Sequence, residues 1–324
     1  MPHNIAVRSL IDNFGRVPAD GLHRFSRFIC LSFFVVSALL SLSLHSHASQ
    51  SSITEADGEA CAGYDMTRRQ TQEAARAAAK RMAADLSSTH IASTTVVENF
   101  QLKEDIVKAF NEAEVKILEV MNEQWNMPSE GCYTVRIKAE VTPSDSAMAT
   151  EAVEDTWMAN PTLPLNVRLW VNASDGKYSQ GQLMKIYLQG NKPFFGRLIY
   201  VDATGNRIQL LPNQHRSDNY FAGGTMFEVP TGNDRFELTV GEPFGDEQLI
   251  LYASTEQLGA IETTPAGSDV YLASGTTEQI SKKTRGVSIG TKTVKTSSDS
   301  TGKGTSVSQV AEFAEASFDI TTTQ

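Results

Sequence analysis

The chain has 324 residues, of which 40% are apolar and 20% charged, and its formal net charge is −10. That composition supports a packed core and excludes a wholly disordered chain. Three cysteines, six histidines and an acidic balance argue against a zinc-rich module and against a general nucleic-acid binder.

Residues 1–27 form a mildly basic leader with Arg8, Arg16, Arg24 and Arg27 against Asp12 and Asp20. The uncharged run FICLSFFVVSALLSLSL from Phe28 to Leu44 follows, and Ser46-His47-Ala48 closes it with small residues. Basic region, apolar centre and small-residue exit predict a secretory signal peptide over 1–48, cleaved after Ala48. The alternative is an uncleaved anchor helix, although seventeen residues is short for a span of about 20. Cys30 begins the apolar run and does not mark a lipoprotein attachment site. Cleavage would leave two cysteines, Cys61 and Cys132, and a net charge of −12. An even count in an oxidising compartment predicts a disulfide, with two buried free thiols as the alternative. Closing that loop stabilises a fold by about 4 kcal/mol in the chain-entropy account.

Residues 60–65 (ACAGYD) read as a short strand. Met66 to Ser88 reads as an alanine-rich helix whose stripe is Ala75, Ala78, Ala79, Met82 and Leu86. The β-branched IASTTVV at 91–97 predicts a strand. A second helix is predicted from Lys103 to Glu123, with Ile106, Phe110, Ala113, Ile117 and Val120 on one face. Tyr133, Val135, Ile137, Ala139 and Val141 then alternate with polar residues, the pattern of a strand with one wet face. This gives a small α+β domain over 49–143. Residues 144–164, rich in proline and acid, read as a linker in which Trp157 is the one large group able to dock.

From Leu165 short β-branched and aromatic runs alternate with turn signals: VRLWV, LMKIYLQ, FFGRLIYV, RIQLL, FELTV and QLILYA. That texture predicts an all-β sandwich-like domain over 165–324. The fold class is therefore α+β, a small N-terminal α/β layer domain followed by an all-β domain. Within it, 281–308 carries six bases against one acid and predicts a flexible basic loop before a last strand that rejoins the sheet.

The motifs FFGRLIYVDATGN, LLPN (Leu210 to Asn213), NYFAGG (Asn219 to Gly224) and FELTV…PFGDEQLILYAS, in that order, resemble the family called domain of unknown function 4384. The resemblance covers about 165–324 and implies a sandwich-like accessory domain without an established catalytic centre. AGYD, the AARAAA helix, STTVV and GCYTVRIKAEV are similar to small α/β envelope modules of flagellar assembly protein T and related outer-membrane lipoproteins. The chain departs from that pattern in lacking a lipobox and in its cysteine pair.

Catalytic arrangements find little support. His90 and His215 lack metal-ligand spacing, and His215 with Ser217 and Asp218 sits in a polar turn. Gly302-Lys303-Gly304-Thr305 lacks the first glycine and the strand of a phosphate loop. Asn172 to Gly176 reads as a hairpin turn, not a calcium loop. Phe194, Phe195, Tyr200, Tyr220 and Phe221 form a candidate contact surface. Phe194 and Phe195 are adjacent in a strand and must point to opposite faces. The expectation is an exported, non-enzymatic protein of the periplasm or cell surface, without cofactor, metal, nucleic acid or a retained membrane span. It would act as a scaffold or accessory module among other envelope proteins. The alternative is a glycan- or peptide-binding module.

Overall fold

A computed structural model describes residues 47–97, 100–126, 131–144, 157–231, 234, 236–266, 270–287, 289, 292–293, 306–307 and 309–324. The leader before His47 and most of the basic stretch after Gly286 lie outside the described residues. The described chain is rich in β-structure. It begins with β1 (His47–Cys61), α1 (Arg68–Thr94), α2 (Phe100–Asn111), β2 (Glu114–Asn126) and β3 (Cys132–Thr142).

Three expectations are corrected in this part. The strand expected at 60–65 is instead β1, ending at Cys61. Its sequence is too polar to announce a strand, but β18 pairs with it over His47–Thr54 and β3 over Ser52–Cys61, and Ser51 to Ala56 are buried without a break inside the sheet. The strand expected at 91–97 is instead the last turn of α1, ending at Thr94, and a short extended segment with Thr95 as the cap. Ile91 is fully buried and extends the helix stripe, so tertiary packing outweighs the β-branched preference of the segment. The long second helix divides into α2 and β2. Two register irregularities, at Ile117/Glu119 and Val120/Asn122, interrupt the alternation along β2 and leave a spacing that imitates a helix.

Helix α1 starts on a capping box, in which Thr67 accepts from the Gln70 amide and the Gln70 side chain accepts from the Thr67 amide. Its buried stripe is Thr71, Ala75, Ala79, Ala83, Ser87 and Ile91, a step of four throughout, while Met82 is 47% exposed. Such small residues let the helix axis approach the sheet closely. Gly58 on β1 lies directly beneath: a Cβ there would come within 2.2 Å of the Ala75 carbonyl oxygen. Trp157 docks on the same side, with Nε1 donating to the Pro164 carbonyl at 2.8 Å.

The chain continues with β4 (Val167–Val171), β5 (Lys177–Ser179), β6 (Leu183–Met184), β7 (Ile186–Gly190), β8 (Phe194–Val201) and β9 (Arg207–Leu211). Next come β10 (Tyr220–Phe221), β11 (Phe227–Val229), β12 (Leu238–Thr239), β13 (Asp246–Ser254), β14 (Thr263–Ala266) and β15 (Val270–Ala273). The last elements are α3 (Thr277–Thr284), β16 (Lys292–Thr293), β17 (Ser306–Val307) and β18 (Val310–Thr323).

The main sheet runs β14-β15-β9-β8-β13-β18-β1-β3-β2. Strand β18 lies at its centre, antiparallel to both β1 and β13, so stretches 49–143 and 165–324 contribute to one sheet. A second sheet, β11-β7-β4, packs Val167, Leu169, Ile186, Leu188 and Val229 against Leu198, Leu249, Leu251, Ala314 and Ala316 of the main sheet. The turn at Asn172 to Gly176 closes with Gly176 at φ 65°, but it does not join a hairpin: β4 pairs with β7, and β5 pairs in parallel with β18.

The side of β3 expected to be wet is covered over its second half, while Thr134 and Arg136 stay partly exposed. Lys138 and Glu140 are buried beneath α3 and the segment after it. No helix among the described residues is long and apolar enough to cross a membrane.

Candidate functional sites

Cys61 and Cys132 face each other in the β1–β3 register and form a disulfide across 71 residues. Glu59 completes a cluster with metal-ligand spacing, but two of its three ligand atoms are bonded to each other. The bridge ties the ends of β1 and β3 beside Asn126, the last residue of β2.

The five aromatics of the expected contact surface separate into two groups. Phe194 and Phe221 are in the core, fully or almost fully buried, and stack at 5.1 Å. They belong to no surface, because the even positions of β8 point between the two sheets. Phe195 and Tyr220 point the other way, with centroids 5.3 Å apart and Tyr220 48% exposed. Tyr200 is half-buried, and its hydroxyl donates a very short hydrogen bond to Glu247. Burial and the neighbouring carboxylate push the Tyr200 phenol far up. Burial also raises the Glu247 carboxyl, against the hydrogen bonds from Tyr200 and Thr322.

Strand β2 ends the sheet, and among the described residues nothing pairs with its outer edge. It runs for 13 residues, most of them exposed, with Val120 at 41% and Met121 at 43%. An unpaired row of backbone N–H and C=O groups of this length is a template for another strand.

Two buried ionic clusters were not signalled by local patterns in the sequence. On the side of α3, Arg285 donates to Glu140 Oε1 at 2.7 Å and to Glu315 Oε2 at 2.8 Å, while its guanidinium lies 4.7 Å from the Phe313 ring centroid. Arg197 donates to the Gly259 carbonyl at 2.9 Å and to Thr284 Oγ1 at 2.8 Å, and its Nε has no hydrogen-bond partner among the described residues. Burial lowers Arg197 to about 10. Lys138 Nζ donates to the Val287 carbonyl at 3.0 Å.

On the opposite side, Glu312 accepts from Lys192 Nζ at 2.8 Å and from the Leu165 amide at 2.6 Å, with His90 Nε2 3.1 Å from its other oxygen. Burial alone would raise this carboxyl, but His90 and Lys192 outweigh it and hold it low. The only clue to either cluster is Glu312 and Glu315 interrupting the otherwise apolar run VAEFAEASF. His215 remains in its turn, where its ring stacks on Phe236 at 6.1 Å.

Residues 177–257, from β5 to just past β13, match the family described as domain of unknown function (DUF4384). The match is shorter than the stretch 165–324 expected from the motifs and leaves out β14, β15, α3 and the central strand β18. No curated protein and no solved structure matches the chain.

Proposed function

We propose that this is an exported, non-enzymatic protein of the periplasm or cell surface that acts as a scaffold or accessory interaction module. In this reading residues 1–48 are a signal peptide, 49–143 form the small α/β layer, and 165–324 form the sandwich-like part. The observation that carries it is the long unpaired edge of β2, with Val120 and Met121 open to solvent. A partner strand adding there would extend a sheet whose centre is already fixed by β18 and β1. The disulfide supports an oxidising compartment. The resemblance of the first stretch to envelope modules supports the same location. Cleavage after Ala48 would leave Ser49 to Cys61 to keep most of the β1 pairings.

The experiment is to cross-link intact cells, recover the tagged protein from the envelope fraction and identify its companions by mass spectrometry. Wild-type protein should return a reproducible set of envelope components, and Val120→Lys/Met121→Glu should lose them while keeping its melting temperature. Recovery of the protein alone, or an identical set from the variant, overturns the reading. A second reading, a peptide- or glycan-binding module, draws on the outward Phe195–Tyr220 pair.

A further inference from the structure

Between the β8–β9 arm of the main sheet and the β6–β12 pair lies a cavity of about 290 Å³. Met184, Ile208, Leu210, Leu238 and Val240 supply apolar walls, with the Tyr200 ring among them.

The charge around the cavity is one-sided. Asp202, Glu237 and Glu242 line it, and among the described residues no lysine, arginine or histidine does. Asp202 is kept ionised by its own turn: burial would raise it, but hydrogen bonds from Asn206 and Thr204 prevail. Glu237 and Glu242 are exposed and have no ion-pair partner among the described residues. An apolar slot with unbalanced carboxylates complements a ligand with an aliphatic stem and a positive end.

We propose that this cavity binds an aliphatic chain ending in a cation, the stem lying along Leu210, Leu238 and Met184 and the head facing Glu237 and Glu242. A lysine side chain of a partner peptide and a free alkylamine share that chemistry. The site is separate from the β2 edge and stands or falls independently of it.

The test is a titration of the exported chain carrying ¹³C-methyl methionine, read at the Met184 methyl. The probes are hexylammonium, hexanol, hexanoate and the capped tripeptide Gly-Lys-Gly. Hexylammonium should shift the Met184 resonance saturably, and hexanol and hexanoate should not at equal concentration. Glu237→Gln/Glu242→Gln, at two exposed positions, should weaken binding about tenfold, the loss expected for two solvent-accessible ion pairs. Binding of the tripeptide at least as tight as that of hexylammonium assigns the site to a lysine side chain, and weaker binding assigns it to a free amine. No saturable shift, equal binding of hexanol, or an unchanged affinity in the double variant overturns the proposal.

Discussion

The two sides of the central sheet are covered by opposite means. Over β1 and β3, α1 lays down a stripe of small residues centred on Ala75, Ala79 and Ala83 against Gly58, and the polar members of that stripe, Thr71 and Ser87, are uncharged. Over the other side of the same strands, the eight-residue α3 and the segment after it are held by Arg285, Arg197 and Lys138 as well as by Ile280 and Val287. A helix of 27 residues with small side chains gains enough contact from close approach. A short helix buries too little for that, and directional charge pairs fix its position instead. Glu312, Lys192 and His90 are the exception on the α1 side, at the end of the helix where the alanine stripe stops.

The largest expected effect comes from unbalancing the ionic side. Arg285→Ala would leave Glu140 and Glu315 without their cation and should cost about 3–5 kcal/mol in urea unfolding. The triple variant Arg285→Met/Glu140→Leu/Glu315→Leu should recover most of that loss, because apolar replacement of a whole buried cluster is often neutral. Were the single variant unaffected, the contrast between the two sides would lose its energetic basis. Next is the disulfide, which joins the end of β1 to the start of β3: Cys61→Ser/Cys132→Ser should lower stability by about 2–4 kcal/mol. On the apolar side, Gly58→Ala should cost about 1–3 kcal/mol by overpacking against the Ala75 carbonyl, whereas Met82→Ala on the exposed face should shift the midpoint little.

The smallest effects are in the pH dependence, and the two buried glutamates have opposite signs. The Glu312 carboxyl is lower in the folded chain than its ordinary value. Its contribution is therefore present at neutral pH and lost as the pH falls through that lowered value. Glu247 is raised, so its contribution is complete below the ordinary carboxylate value and lost as the pH rises through the folded one. Glu247→Gln should therefore flatten the stability profile above pH 4.5. A scan of unfolding midpoints from pH 3 to 8 reads both signs.

How much the sequence revealed follows from what each element relies on. Strand β3 was legible because one side packs into an apolar cluster, giving strict alternation from Tyr133 to Val141. The cysteine pair and the opposed Phe194 and Phe195 followed from count and from strand geometry. Strand β1 was not legible, since its buried residues include serines and threonines and its place is set by pairing with the distant β18 and β3, not by hydrophobicity. The end of α1 and the whole of β2 were misread for related reasons. Ile91 is helical because of what it packs on, and the bulges of β2 erase its period. The Arg285 and Glu312 clusters join residues up to 222 positions apart, and no local pattern records such a meeting.

The claim that β2 is the docking edge is tested most directly by amide hydrogen exchange along Glu114 to Asn126. It should be measured in the isolated protein and again in the assembly recovered from the envelope. The outward amides of β2 should exchange fast in isolation and slow markedly in the assembly, while β3 stays protected in both. Equal exchange along β2 in the two states would contradict the account.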